Sequence, residues 1–310
     1  MEPQSPANAN ESSLNPPPGA EIPVDGTLNF RSFGGYPVPV LSSPSDNNNN
    51  ITTTTTRDRF LHRSGHLENL TQTGLAQLRE LGISTIIDLT NSKETNALFT
   101  RAGKDNNTGN GDGNGHKSKD RITVVNLPLA KKEFSVQQLA EKYKRYLEIG
   151  EEAIASSYIT LLTDGAATVN QIIRLLLSNP KSGYLIHCAM GKDRTGVVFA
   201  ILLSLAGVSD DIVAEEYSLS EACLRSALPG IAKAIRKVVK PEISEEDAVW
   251  RAGVVVRTDK GSMRAMLKMV RERFGSVEGY LVECCGVAEE ELRRLRGILV
   301  EASDGRRERG

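Results

Sequence analysis

Leu75, Leu78 and Leu81 recur at helical spacing in "GLAQLRELG", and the pattern stops at Gly82, which predicts a helix ended by a glycine. The β-branched run "ISTIIDL", Ile83 to Leu89, predicts a strand directly after it. "ITVVNLPL" at Ile122 to Leu129 predicts a second strand, followed by the helical pattern "SVQQLAEKYKRYLEI" from Ser135. "AATVNQIIRLLLSNP" reads as another helix, ended by Pro180, and "GYLIHC" as a short buried strand. From Val197 onward almost every segment is helical, including "DDIVAEEYSLSEACL", "GSMRAMLKMVRERFG" and "EEELRRLRGILVEA". The chain is therefore α/β: a small, mostly parallel central sheet flanked by helices, then a helical C-terminal half.

Polar stretches interrupt this alternation. Residues 1–24 are polar and proline-bearing, and too little apolar surface is available there to offset chain entropy, so they read as a disordered tail. "SSPSDNNNNITTTTT" at 42–56 and "KDNNTGNGDGNGHKSK" at 104–119 read as low-complexity surface inserts, and 303–310 as a second tail. The 310 residues allow one core or two; the pattern favours a single domain over 25–302.

Thirty-eight basic against 39 acidic residues leave a formal charge of −1 without a basic block, which excludes a strong nucleic-acid footprint. The N-terminus has no basic start followed by an apolar run, and the longest apolar run, Val197 to Val208, is broken by Ser204 and too short to cross a bilayer. The four cysteines, Cys188, Cys223, Cys284 and Cys285, have neither CxxC spacing nor zinc-ligand histidines, His187 beside Cys188 excepted. These features place the protein in a reducing, aqueous compartment, the cytoplasm, with no integral membrane association, no metal and no disulfide framework expected.

The chemistry concentrates in "HCAMGKDRTG", His187 to Gly196, where a strand passes through a loop into a helix. Such a turn points successive N–H groups inward at a helix N-terminus and makes an anion cradle from Ala189, Met190, Gly191 and Lys192. Cys188 stands at its base, where the helix end, Lys192 and Arg194 favour thiolate over thiol and create a nucleophile. The planar fork of Arg194 grips two phosphate oxygens, a geometry that a lysine cannot reproduce. Thr195 is placed to donate to the sulfur when it becomes the leaving group. Phosphoryl transfer also needs an acid for the departing oxygen: Asp193 within the loop is the first choice, with Asp88 at the carboxyl end of "TIIDL" in reserve. A chance match to the fixed letters of HCxxGxxRTG is on the order of 10⁻⁸ per start position.

On these residues the chain resembles the cysteine-dependent protein tyrosine phosphatases, and among them the bacterial and fungal tyrosine/serine protein phosphatase family, whose loop reads HCxxGKDRTG. "LNFRSFGGYPV", "FLHRSGHLENLT", "GISTIIDLTNSKE", "YSLSE" and the segment from Arg271 to Val300 are similar to further blocks of that family. The resemblance implies a protein tyrosine phosphatase-like fold and cofactor-free hydrolysis through phosphocysteine. Phosphotyrosine is the implied substrate, with phosphoserine, phosphothreonine or phosphoinositides besides. It assigns the nucleophile to Cys188, the clamp to Arg194 and the acid to Asp193, and suits Lys192 to additional phosphates. Ser32 stands where the family has aspartate, and Thr90 where it has arginine.

Other readings remain beside this one. A phosphoinositide phosphatase is motivated by Lys192, and an inactive phosphate-binding module would use the same cradle. A rhodanese-like sulfurtransferase also carries a loop cysteine, but its loop is too short for five residues between cysteine and arginine. Arg31 and Arg63 read equally as collectors of anionic substrate and as buried ion-pair partners. His187 reads as a structural neighbour of Cys188, and one of Cys284 and Cys285 as a core residue. "NGDGNG" at 110–115 mimics a calcium loop but has Arg121 where a glutamate is required. The glycosylation sequons at Asn10, Asn50, Asn69 and Asn106 carry no weight in a chain without a secretory signal. Oligomeric state is not readable.

Overall fold

The structure, a computed structural model, describes residues 18–39, 54–91, 122–130, 144, 148, 150–239 and 243–302. All but two positions, 144 and 148, of the helix expected from Ser135, the insert at 104–119, the calcium-loop lookalike, most of the insert at 42–56 and residues 1–17 and 303–310 lie outside the described residues.

Five strands form the central sheet in the order β1 (Arg31–Ser32), β4 (Leu61–Ser64), β7 (Gly183–His187), β5 (Ile83–Asp88), β6 (Thr123–Asn126). The last four run parallel and only β1 is antiparallel. Ser64 and Asp88 each pair with His187, and Asp88 also with Asn126, so the carboxyl ends align along one rim. Ligands of parallel sheets bind at that rim, because the connections leaving it are free to vary.

The elements follow the sequence closely. Helix α1 (Gln72–Glu80) is capped by Thr71, whose Oγ1 accepts from Gly74 N at 3.0 Å, and the chain leaves it through Gly82 at φ +78°. Helices α2 (Glu151–Asp164) and α3 (Ala166–Ser178) precede β7. Helix α4 (Asp193–Ala206) is apolar on every side, and 11 of its residues are buried, so it forms the axis of the core. Around it lie α5 (Asp210–Cys223), α8 (Lys260–Phe274) and α9 (Glu289–Leu299). Helices α6 (Leu228–Val238) and α7 (Glu245–Val256) pair with each other over a small core of their own, made by Ala232, Ile235, Val239, Ala248 and Ala252. Val254 and Val255 of α7 pack with Met190 of the loop after β7.

Three local outcomes differ from the sequence reading. The last threonines of the 42–56 insert are not a surface loop: Thr54–Thr56 form β3, the middle strand of a second sheet ordered β2 (Pro37–Val38), β3, β8 (Val300–Ala302). Thr56 is fully buried; its hydroxyl donates to Phe33 O at 2.7 Å and accepts from Tyr36 N at 2.9 Å. The final helix stops at Leu299 rather than running to Ala302, because Val300 turns extended and pairs with Thr56. The chain also enters the fold before residue 25: Ile22 N donates to Phe30 O at 2.9 Å and Val24 is buried. Near the other end Cys285 is buried and Cys284 half-buried. All four cysteines are free thiols.

Candidate active site

Cys188 follows β7 directly and is 3 % exposed, and the chain turns through Ala189 to Lys192 into the first turn of α4. Three successive carbonyls of this turn are held outward by donors from β4, the loop just after it and the segment before β1. Ala189 O accepts His66 N at 3.0 Å, Met190 O accepts Asn29 Nδ2 at 2.9 Å, and Gly191 O accepts Arg63 Nη2. Because a trans peptide sets N–H opposite C=O, the N–H groups that follow face inward. Gly191 has φ +63°, and a Cβ there would stand 2.3 Å from Ser64 O, so only glycine closes the turn. The turn, the N-terminus of α4 and Cys188 thus lie together at the carboxyl rim of the sheet.

Arg194, half-buried in the first turn of α4, reaches Leu89 O at the end of β5 with Nη1 at 3.5 Å. Asp193 is also held in place. Tyr158 of α2 donates to its Oδ1, and the Tyr158 and Tyr217 hydroxyls are 2.6 Å apart. Burial, and after it the Asp193 charge, raises the Tyr217 phenol well above its ordinary value, so it stays protonated. Thr195 is fully buried and its Oγ1 has no hydrogen-bond partner among the described residues, which leaves its donor unspent next to the loop.

Two sequence candidates sit differently from expectation. Asp88 is fully buried, and its Oδ1 accepts Thr90 N at 2.9 Å and Thr90 Oγ1 at 2.6 Å, a closed turn at the strand end. Thr90, at the position of the family's arginine, is what closes that turn. Lys192 is fully buried as well, and its Nζ donates to Val255 O at 2.7 Å and Arg257 O at 3.0 Å. Its ammonium anchors the C-terminal end of α7, where a cation satisfies otherwise orphaned carbonyls. The reason for placing additional substrate phosphates on Lys192 is thereby weakened. Ser32 closes a local turn, its Oγ accepting Gly34 N at 3.0 Å.

His187 is fully buried, and burial lowers its imidazole despite the opposing pull of Asp88 3.7 Å away, so a neutral ring stands beside Cys188. Arg31 and Arg63, open to two readings in the sequence, are both fully buried on a shared carboxylate, Glu216. The sequence reading did not single out Glu216, Ser220, Asn29, Tyr158 or Tyr217. One signal was present: Glu216 and Ser220 fall on the same helical stripe as Val213 and Tyr217, where polar residues are unexpected.

A parallel sheet with a cysteine turn feeding a buried helix at its carboxyl rim defines the protein tyrosine phosphatase-like class. The chain belongs to the tyrosine phosphatase family, whose family model matches residues 22–301. Among curated relatives it is 27 % identical over 269 residues to the triple specificity protein phosphatase PtpB of Mycobacterium tuberculosis, covering 77 % of this chain and 90 % of that protein. It is 26 % identical over 162 residues to a tyrosine-protein phosphatase of Nostoc commune, covering 49 % of this chain and half the length of that relative. Similar solved structures include the core catalytic domain of the PP-IP phosphatase SIW14 from S. cerevisiae, 16 % identical, over 52 % of this chain and 70 % of that one, with TM-score 0.28. P. aeruginosa TpbA is 15 % identical over 62 % and 90 %, with TM-score 0.26. Among the described residues no helix is long and apolar enough to cross a membrane.

Proposed function

We propose that the protein hydrolyses phosphomonoesters, phosphotyrosine in protein first among them, through a phosphocysteine at Cys188. The observation that carries the reading is the outward tethering of the Ala189, Met190 and Gly191 carbonyls around a buried cysteine at a helix N-terminus. In the first step the Cys188 sulfur attacks phosphorus and the P–O ester bond breaks. Asp193 protonates the departing oxygen, and Arg194 and the cradle hold the charge on the transferring group. In the second step water attacks phosphorus, the S–P bond breaks and Asp193 takes the water's proton. The Asp193 side chain is 25 % exposed, which gives its carboxyl access to water for proton exchange, and Tyr158 orients it through Oδ1. Asp88, closed by Thr90, offers no such access. The sulfur must stay a free thiol, so a reducing compartment such as the cytoplasm is part of the reading.

Incubation of the wild type and Cys188→Ser with an aryl phosphate, under reducing conditions, tests this directly. Release by the wild type, none by the variant and a phosphorylated Cys188 trapped by acid quench are expected. No release by the wild type would refute the enzyme and leave a phosphate-binding module. A panel of phosphopeptides and phosphoinositides then ranks the substrates.

A further inference from the structure

Arg31 and Arg63 are direct cross-strand partners in the antiparallel pair of β1 and β4. Two like charges in that position repel, and in a fully buried site the cost is high. Glu216 of α5 is inserted between them. Its Oε1 accepts Arg31 Nη2 at 2.9 Å and Nε at 3.3 Å, and its Oε2 accepts Arg63 Nη1 at 2.6 Å. Ser220, one turn along, accepts Arg31 Nη2 at 3.0 Å and Arg63 Nη2 at 3.5 Å. Arg63 is further fixed by the face of Phe199, 5.0 Å from its guanidinium carbon.

Two guanidinium groups on one carboxylate sum to one positive charge inside the protein. Burial lowers the Arg63 guanidinium from its ordinary value, and Glu216 and Cys188 are the nearby charges that oppose this most, together with Tyr36. Arg63 also donates to Gly191 O, the third of the outward carbonyls. One side chain therefore ties the shared carboxylate to the loop.

We propose that Glu216 is a positioning residue for the phosphate loop: it holds Arg63 so that Arg63 pins the Gly191 carbonyl outward and sets a buried cation against the loop. The counter-charge to that cation in the working enzyme is the substrate phosphate. This inference rests on the phosphatase reading, yet its two parts can be measured apart.

Charge is read from the rate at which iodoacetamide, a neutral reagent, alkylates Cys188 near pH 6, and geometry from kcat with an aryl phosphate. Arg63→Gln removes both, and alkylation and kcat each fall about tenfold or more. Arg63→Lys keeps the charge but cannot reach Glu216 and Gly191 O together, so alkylation stays within about twofold while kcat falls about tenfold. Glu216→Gln leaves the cations less neutralised, so alkylation is as fast or faster while kcat falls by a similar factor. Glu216→Gln with unchanged kcat, or with alkylation slowed in step with kcat as for a partly unfolded protein, overturns the proposal. Should Glu216→Gln fail to fold, Ser220→Ala removes a weaker brace; a kcat lowered a few-fold with unchanged alkylation and melting supports the proposal, and an unchanged kcat overturns it. If the wild type does not hydrolyse the ester, the enzymatic reading fails, and the positioning role is judged on the alkylation order alone: Arg63→Gln slow, Glu216→Gln not.

Discussion

Tyr158 gives its phenolic proton to Asp193 Oδ1, so its oxygen, 2.6 Å from that of Tyr217, receives the proton of Tyr217. A chain of donors from the core thus ends on the one loop carboxyl with access to solvent, and hydrogen bonds in series reinforce one another. Asp193→Asn is expected to lose about 10²- to 10⁴-fold in kcat with alkyl phosphates and much less with a good aryl leaving group. Tyr158→Phe, which misplaces the carboxyl without removing it, is expected to lose about tenfold with the same bias. Rates against leaving-group pKa for both variants and Asp88→Asn decide the matter; a bias confined to Asp88→Asn would reassign the acid.

The fold was legible where periodicity is local. The helix ended by Gly82, the strands from Ile83 and Gly183, and the buried helix after Asp193 all follow from apolar spacing and stop signals. The second sheet was hidden because its pieces are two or three residues long and distant in sequence, so pairing rather than composition creates them; five threonines in a row look like a loop until Val300 supplies a partner. Cys188, Arg194 and Asp193 were legible because they are contiguous in one motif. Tyr158 meets Asp193 across 35 positions and Glu216 meets Arg63 across 153, and nothing local marks them as neighbours of the loop. The surroundings of Lys192 were illegible for the same reason, since the carbonyls it donates to belong to Val255 and Arg257, 63 and 65 residues away.

Lys192 therefore supports a prediction opposite to its sequence reading. Lys192→Met strands the Val255 and Arg257 carbonyls and loosens α7 from the loop, costing about 1–3 kcal/mol of stability. Turnover of a phosphoinositide and of an aryl phosphate should fall together. A ratio of the two kcat/KM values that drops well beyond threefold would restore Lys192 as a contact to additional phosphates.

Gly191 admits no side chain. Gly191→Ala combines a positive φ with a methyl 2.3 Å from Ser64 O, so the turn must open and the inward N–H groups disperse. Activity should fall below about one-hundredth of wild type, with inorganic phosphate no longer slowing Cys188 alkylation. Retention of phosphate protection in this variant would mean that the cradle is not where the anion sits.

His62 lies in β4 with 1 % exposure, its ring 5.5 Å from that of Phe30, and burial pushes its imidazole from 6.5 down to about 4. Between those two values the unfolded chain binds a proton that the folded protein refuses, so unfolding takes up a proton and stability rises with pH. Stability is consequently intact above about pH 6.5 and is lost progressively as pH falls toward 4, by about 3 kcal/mol in all for this one group. Below about pH 4 both states carry the proton and the loss levels off. His62→Phe preserves an aromatic ring against Phe30 and removes the titration, while the buried His187, which acts in the same direction, is left in place. Urea unfolding at about pH 7, 5.5 and 4.5 should show a shallower acid decline in His62→Phe than in wild type, the difference being the contribution of His62. Equal declines would mean that the imidazole is protonated in the folded protein and that β4 accommodates its charge.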